Sequence, residues 1–245
     1  MKMKTALNIL VCNDDGITAR GIDILAKSLK KYGNVYVVAP NGPRSASSHA
    51  IYLHKPLLFK HVNVIADCEC YITDGMPADC VRLATSILDI EFDVVFSGVN
   101  NGLNVGTDTI YSGTVAVARE AFIEGIPSVA ISTDVNCFDI VNNELDNVLE
   151  YVFDNKLYSK DYILNINFPT NDFKESKGMK WSNQGIKNFK THFKKIDEDK
   201  YIDCDDYIQY DTNENSDVYL SITGYISLVP LGIDQTNYNK LEEVK

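Results

Sequence analysis

The chain has 245 residues, and 23 lysines and arginines against 34 aspartates and glutamates give it a formal net charge of −11. Proteins that bind polymeric nucleic acid present a basic surface to the phosphates, so this charge argues against that class of partner. Hydrophobic residues make up 45% of the chain, which is enough for a substantial core and excludes overall disorder. A small phosphate ester held through a bound cation is compatible with the charge.

The first residues show no secretory signal, because the apolar run at 6–12 is short and ends in Asn13-Asp14-Asp15. No stretch approaches the ~18 apolar residues that span a bilayer. The six cysteines are therefore expected to be reduced thiols, and Cys68-Glu69-Cys70 lacks the second ligand pair of a structural zinc site. We predict a cytoplasmic protein without a membrane partner.

Apolar runs alternate with helical patterns from the start of the chain. Residues 8–12 predict a strand buried on both faces, and residues 22–29 carry apolar side chains at helical spacing. Residues 35–40 predict the next strand. A strand, a helix and a strand in this order indicate parallel pairing through a right-handed crossover.

The same alternation continues to residue 167. Further helices are predicted at 81–88, 114–124 and 145–153, and further strands at 92–98, 127–132 and 162–167. Strands that alternate with helices indicate an α/β fold with an open, mostly parallel, doubly wound sheet.

The chain becomes polar after Pro169. The charged blocks within 171–215 are best explained by a solvated face. Short strands near Gly185-Ile186 and at 207–210 predict hairpins, and residues 219–228 alternate as a late strand. We therefore divide the chain into a core at residues 1–170 and a C-terminal hairpin and tail segment at residues 171–245.

Polar loops follow three of the predicted strands. They contain Asn13-Asp14-Asp15-Gly16, residues 40–49 and residues 97–106. In an open parallel sheet the ligand crevice lies at the carboxyl ends of the strands. We therefore expect these three loops to meet at one edge.

Two adjacent carboxylates, Asp14 and Asp15, directly follow an apolar strand. Asp-Asp-Gly is also an ordinary turn sequence, but carboxylates in this position repel each other and lose solvation, and a divalent cation relieves both effects. The Ser45 hydroxyl and the Asn100 side-chain carbonyl can complete an all-oxygen ligand set, which suits Mg²⁺, Mn²⁺ or Ca²⁺ better than Zn²⁺. About two positions of an octahedral ion would stay open for water or substrate.

Residues 100–113 are rich in glycine and asparagine, which can present successive N–H groups to an anion. Ser112-Gly113-Thr114 then begins a helix whose N-terminus favours phosphate, although an ordinary N-cap explains the serine alone. Walker A, Gly-x-Gly-x-x-Gly, Gly-x-Ser-x-Gly and Asp-x-Asp patterns are missing from these loops. His49 is close enough to Ser45 to reach a phosphate, but packing explains it better. Tyr111 and Phe59 are the aromatic candidates for stacking on a base.

In this combination of motifs the sequence resembles the survival protein E (SurE) nucleotidases, metal-dependent phosphatases of nucleoside monophosphates. The matching motifs are Asn13-Asp14-Asp15-Gly16, Ala39-Pro40 through Arg44-Ser45, Asp74-Gly75-Met76-Pro77-Ala78-Asp79-Cys80-Val81, Ser97-Gly98-Val99-Asn100-Asn101-Gly102-Leu103-Asn104, Tyr111-Ser112-Gly113-Thr114-Val115, Asn165-Ile166-Asn167-Phe168-Pro169 and Gly224-Tyr225-Ile226-Ser227-Leu228-Val229-Pro230-Leu231. They run nearly end to end and in one order, which makes the resemblance far more specific than any single motif.

The resemblance implies a Rossmann-like core with a smaller C-terminal part that uses hairpins and a tail in homodimer or homotetramer assembly. It implies one divalent ion per subunit, Mg²⁺ or Mn²⁺, with Asp14 and Asp15 as the catalytic residues. The implied metal ligands are Asp14, Asp15, Ser45 and Asn100, and the implied phosphate contacts are Asn104, Ser112, Gly113 and Thr114. The implied reaction is hydrolysis of nucleoside 5′- and 3′-monophosphates, sometimes with activity on short polyphosphate.

Two alternatives are a nucleotide- or phosphate-binding protein without turnover and a phosphatase of non-nucleotide substrates such as sugar phosphates. The chain departs from the family at Ala19-Arg20-Gly21, where the family often has Ala-Pro-Gly, and at Ala46, where a glycine commonly follows the serine. Neither departure removes a proposed ligand. Residues 174–206 are the least family-like part.

Overall fold

The computed structural model of the chain describes residues 6–189, 191–204, 208–209 and 211–244. Six parallel strands form the centre of its main sheet: β1 (Leu7–Cys12), β2 (Gly33–Pro40), β4 (Glu69–Thr73), β5 (Val94–Asn101), β6 (Ser128–Thr133) and β7 (Ile163–Asn167). Three more strands extend it: β3 (Phe59–Val62) antiparallel to β4, β13 (Ile226–Leu231) antiparallel to β7, and β8 (Met179–Trp181) parallel to β13. The strand order is β3-β4-β2-β1-β5-β6-β7-β13-β8.

Helices cover both faces of the sheet. On one face α1 (Arg20–Leu29) packs against α5 (Phe138–Asp154), and on the other α2 (Pro77–Ile87) packs against α4 (Gly113–Ile123). The short helices are α3 (Asp108–Tyr111), α6 (Asp217–Ile222) and α7 (Tyr238–Glu243). The buried strands and the helix faces against them build the two halves of the core, which confirms the predicted doubly wound α/β fold.

The strand order reverses at β1. The chain adds β2 and β4 on one side of β1 and then returns to add β5, β6 and β7 on the other. The carboxyl ends of β1 and β5 therefore flank the topological switch point, where ligands bind in open α/β sheets.

The C-terminal part contains two small antiparallel pairs outside the main sheet. One is the hairpin of β10 (Phe193–Asp197) and β11 (Lys200–Asp203), and the other pairs β9 (Asn188–Phe189) with β12 (Ile208–Gln209). The strand predicted at 207–210 is present at Ile208–Gln209, and residues 207 and 210 lie outside the described residues. The hairpin at 193–203 was not predicted.

One prediction for this part was wrong. Residues 219–228 do not form one strand, because Ser216 caps α6 by accepting a hydrogen bond from the Tyr219 N–H (3.2 Å), and a strand begins only at Ile226. A side-chain hydrogen bond thus starts a helix where alternation predicted a strand. The short strand predicted near Gly185-Ile186 is present as β9, which begins at Asn188 and pairs with β12, while the Gly185 N–H itself donates to the Asp217 carboxylate.

Nearer the N-terminus, the predicted boundaries of helices and strands differ from the observed boundaries by several residues. The helix predicted at 145–153 begins at Phe138, and the strand predicted at 92–98 spans Val94–Asn101.

All six cysteines are free thiols. Within the described ranges, no helix has both the length and the apolar character needed to cross a membrane.

Candidate active site

A turn closed by the Asn13 side chain holds the two aspartates at the end of β1. The Asn13 amide accepts a hydrogen bond from the Gly16 N–H (3.2 Å) and donates one to the Gly16 carbonyl (2.9 Å). Gly16 has a φ of +99°, a conformation that glycine adopts at little cost. The turn therefore fixes Asp14 and Asp15 at the switch point.

Three loops meet at these aspartates, as the sequence predicted. The Arg44 N–H of the loop after β2 donates to the Asp14 carbonyl (2.7 Å), which places Ser45 one residue away. The Asn101 N–H at the end of β5 donates to the Asp15 carboxylate (3.1 Å). The structure thus brings the proposed metal ligands of all three loops to one edge, with Ser45 exposed on its loop.

An irregularity in β5 sets the direction of the Asn100 side chain. The pairing of β5 with β6 shifts register between Ser97 and Asn100, which redirects the side chains that follow. The start of α1 packs directly on this segment, since a Cβ on Gly21 would lie 1.8 Å from the Val99 carbonyl oxygen. The Asn100 amide nitrogen donates to the Gly102 carbonyl (2.7 Å), which leaves its Oδ1 as the group to face a cation.

Two adjacent carboxylates, buried Asp14 and half-buried Asp15, stand at this edge. Asp14 is only 5% exposed, and burial raises its pKa from 3.8 to about 6, with the charge of Asp15 adding to the rise and the Thr114 hydroxyl opposing it. Burial also raises the pKa of Asp15. Within residues 6–189, 191–204, 208–209 and 211–244, neither forms an ion pair with a basic side chain.

The donor set fits a hard divalent ion. The Asp14 carboxylate accepts hydrogen bonds from the hydroxyl and the backbone N–H of Thr114, and the Asp15 carboxylate accepts one from the Asn101 N–H. The described residues hold no cluster of three or more His, Cys, Asp or Glu that could bind a metal. A metal here would therefore depend on the neutral oxygens of Ser45 and Asn100 as well as on the two carboxylates, as Mg²⁺ and Mn²⁺ sites allow.

The start of α4 faces the aspartates. A Cβ on Gly113 would lie 2.8 Å from Asp14 Cβ and 2.9 Å from Asp14 Oδ2, so only glycine fits. The Thr114 hydroxyl donates to Asp14 Oδ1 (2.5 Å), and the Ser112 hydroxyl caps the helix by accepting from the Val115 N–H (3.0 Å). Three of the four predicted phosphate contacts are thus adjacent to the carboxylates.

Asn104, the fourth predicted contact, is 5% exposed and tied to the ends of β6 and β7. Its amide nitrogen donates to the Ser132 hydroxyl (2.8 Å), and its N–H donates to the Asn167 side chain (2.8 Å). These bonds fix the loop after β5 against the sheet.

Ser47 is a candidate that the sequence did not single out. Its hydroxyl oxygen is buried and has no hydrogen-bond partner among the described residues. A Cβ built on Gly113 would lie 2.8 Å from the Ser47 hydroxyl oxygen and 2.9 Å from Asp14 Oδ2. A buried hydroxyl without a partner is costly, so we treat the Ser47 hydroxyl as a candidate donor to a ligand at this edge.

The other sequence candidates have different surroundings. His49 contacts the Glu120 carboxylate (Nε2 to Oε2, 2.7 Å), so packing explains it, as the sequence favoured. Phe59 stacks on Tyr71 with ring centroids 4.9 Å apart, whereas Tyr111 is 55% exposed beside Ser112.

Asp217 connects the C-terminal part to the loop after β5. Its buried carboxylate accepts hydrogen bonds from the N–H groups of Gly106 (2.9 Å), Gly185 (2.8 Å) and Val218 (2.8 Å). Burial raises the pKa of Asp217, and the three N–H groups oppose that rise. No sequence pattern marks these three hydrogen bonds in advance, because the partners of Asp217 are backbone groups that are far apart in the chain.

Comparison with known proteins assigns the family. The family model described as "Survival protein SurE" matches residues 9–191. The chain belongs to the SurE family. The 5′-nucleotidase SurE of Clostridium botulinum (strain 657 / Type Ba4) is 40% identical over 252 residues, covering 98% of each chain.

Two further comparisons agree with membership of the SurE family. The 5′-nucleotidase SurE of Clostridium botulinum (strain Alaska E43 / Type E3) is 38% identical over 248 residues, again with 98% of each chain covered. The crystal structure of the SurE protein from Aquifex aeolicus has a TM-score of 0.79 and 33% identity, covering 97% of this chain and 98% of that one. The SurE fold therefore extends over nearly the whole chain.

Proposed function

We propose that this chain is a metal-dependent phosphomonoesterase that hydrolyses nucleoside 5′-monophosphates, and also 3′-monophosphates, to nucleoside and phosphate. The observation that carries the proposal is the carboxylate pair of Asp14 and Asp15 at the switch point, facing the first residue of α4 and without a basic partner among the described residues. The relatives named 5′-nucleotidase SurE support the substrate class. Short polyphosphate is a further substrate that we propose for the same site.

We assign one divalent ion per chain, Mg²⁺ or Mn²⁺, to this edge. Its proposed ligands are Asp14, Asp15, Ser45 and Asn100. A bound ion would supply positive charge to neutralise the phosphoryl oxygens and would lower the pKa of a coordinated water. The chain holds the ligand oxygens in place, and we propose that either Asp14 or Asp15 accepts the proton of the attacking water.

We assign the phosphate to the edge that the aspartates and the start of α4 form together. The N–H groups of Gly113 and Thr114 begin the helix, where no preceding turn supplies a carbonyl, and they favour an anion. Asn104 and Ser112 are the proposed side-chain contacts, and Ser47 adds a buried hydroxyl as a donor. Donors fixed in advance stabilise the charge that develops on the equatorial oxygens.

We propose that the chain forms a homodimer or homotetramer through residues 171–245, with residues 1–170 as the catalytic core. The hairpin of β10 and β11 supports this, because all its residues are exposed and an isolated two-stranded hairpin is marginally stable in water. Six free thiols suit a reducing compartment, so a cytoplasmic location remains our proposal. The main proposed substrate is the nucleoside monophosphate, and no nucleic acid or membrane partner is proposed.

The test is phosphate release from 5′- and 3′-mononucleotides, sugar phosphates and short polyphosphate with Mg²⁺, Mn²⁺ or EDTA. We expect metal-dependent release that is fastest from mononucleotides. Ser47→Ala should lower kcat/KM for them by about tenfold, the cost of one lost hydrogen bond to a charged group, while Ser28→Ala on α1 serves as the matched control. Folded protein that releases no phosphate with any metal would support binding without turnover instead.

A further inference from the structure

A pocket of about 330 Å³ adjoins the aspartates on the side away from α4. Its lining residues are Asp15, Ala19, Arg20, Gly21, Asn101, Asn136 and Phe138. Because Asp15 belongs both to this pocket and to the proposed metal ligands, a molecule with its phosphate at the switch point can extend a second group into the pocket. The question is which chemical group the pocket fits.

Arg20 and Phe138 form a stacked pair in this pocket. The guanidinium carbon of Arg20 lies 5.2 Å from the centroid of the Phe138 ring, and Phe138 itself is buried. The Arg20 side chain is still 56% exposed, and its ion pair with Asp139 is long (3.7 Å) and reaches a side chain that is 98% exposed. A pair of this kind contributes little, so the guanidinium plane is available to a ligand.

Two asparagines supply polar groups beside this plane. The Asn136 N–H donates to Asn101 Oδ1 (2.7 Å), which orients the Asn101 amide and leaves its NH₂ group as a donor. Asn136 has a φ of +60°, so its backbone follows a left-handed turn at this point. Neutral amides offer both donors and acceptors, which suits a polar but uncharged ring edge.

The charges disfavour a second anionic group. Arg20 is the single cation among the residues that line the pocket, which also include the Asp15 carboxylate, and Arg20 pairs with Asp139 beside it. A planar heteroaromatic ring, in contrast, can stack on a guanidinium and form hydrogen bonds at its edges. Small-ligand sites combine an apolar surface with a few fixed polar groups in this way.

We infer that this pocket binds the nucleobase of the substrate, with Arg20 stacking on the base and with Asn101 and Asn136 at its edge. The inference rests on the proposed function, because it assumes that the phosphate occupies the switch point. Arg20 is then a residue that determines specificity, outside the groups that act on the phosphate. Tyr111, exposed beside Ser112, is the competing platform for a base.

The experiment compares kcat/KM for AMP and for ribose 5-phosphate, with Mn²⁺, in wild type, Arg20→Ala, Arg20→Lys and Tyr111→Ala. Lys27→Ala is the matched control, since Lys27 lies on the same helix and pairs with Asp23 (2.7 Å). Arg20→Ala should lower kcat/KM for AMP by about tenfold, mainly through KM, and leave ribose 5-phosphate within about twofold. Arg20→Lys should resemble Arg20→Ala, because lysine keeps the charge and loses the plane.

Three results would overturn the inference. They are an equal loss for both substrates, full activity on AMP in Arg20→Lys, and a loss of base preference in Tyr111→Ala with none in Arg20→Ala. Titration of adenosine, which has no phosphate, separates this inference from the proposed function. Weaker adenosine binding in Arg20→Ala would support the base pocket even if wild type released no phosphate, and equal binding in both proteins would contradict it.

Discussion

The switch-point edge and the β10–β11 hairpin differ in what holds them in place. At the edge, loops from three strands bond to one another around Asp14, which is only 5% exposed. In the hairpin, four large apolar side chains are more than half exposed: Phe193, Ile196, Tyr201 and Ile202. The edge is positioned by the chain's own packing, whereas the hairpin presents exposed apolar surface, against which we propose that a second copy of the chain packs. Changes at the edge should therefore affect chemistry, and changes in the hairpin should affect assembly.

The largest effect should come from Asp14→Asn. Loss of this carboxylate removes charge from the proposed metal ligands, and we expect phosphate release from AMP to fall on the order of 10³-fold. Circular dichroism should show an unchanged fold. Asp23→Asn, which alters a half-buried carboxylate on α1 that pairs with Lys27, is the control. Activity of Asp14→Asn near that of wild type would contradict the role of the edge.

The next largest effect should come from Gly113→Ala. The added Cβ would lie 2.8 Å from both Asp14 Cβ and the Ser47 hydroxyl, so the helix start and the aspartate must move apart. A displacement of this size costs about 100-fold in kcat/KM, and the overpacking costs about 1–3 kcal/mol of stability. Gly232→Ala is the matched control, since a Cβ there meets nothing within 4 Å. Equal kinetics in the two variants would show that α4 does not face the reacting group.

In the protein without bound metal, the pH dependence of the free energy of unfolding tests whether the Asp14 carboxylate is buried. Burial raises the pKa of Asp14 from 3.8 to about 6, so its contribution to stability is complete below about pH 4 and is lost as the pH rises through 6. The loss amounts to about 3 kcal/mol in the free energy of unfolding. Urea unfolding in EDTA should show this decline in wild type and not in Asp14→Asn. Parallel pH profiles of the two proteins would contradict the attribution of this decline to Asp14.

The smallest effect on the chain's own stability should come from the hairpin. Ile196→Asp replaces a side chain that is 60% exposed, so the free energy of unfolding of the single chain should change by less than about 0.5 kcal/mol. Assembly should weaken, because a charge replaces apolar surface at the proposed interface. Sedimentation velocity measures the oligomer, with Lys200→Ala as a hairpin control. An unchanged oligomer would place the interface elsewhere.

The sequence predicted the edge well because its signals are local. An apolar run ends in Asn13-Asp14-Asp15-Gly16, and the alternation of strands with helices places the loops after β1, β2 and β5 together. The same reasoning missed Ser47, whose burial depends on the approach of Gly113. Residue type alone does not report such an approach.

The C-terminal part was predicted less well because long-range contacts decide it. Asp217 accepts hydrogen bonds from the Gly106 and Gly185 N–H groups, so the strand expected near Gly185 begins only at Asn188. Ser216 starts a helix where apolar alternation indicated a strand. The hairpin at 193–203 has no buried face, so no hydrophobic pattern marked it in advance.

Titration of Mn²⁺ followed by electron paramagnetic resonance tests the central claim most directly. We expect one ion per wild-type chain, binding at least tenfold weaker in Asn100→Leu and abolished in Asp14→Asn, with Asp23→Asn equal to wild type. Unchanged stoichiometry and affinity in Asp14→Asn would place the metal elsewhere and would contradict the assignment of this edge as the catalytic site.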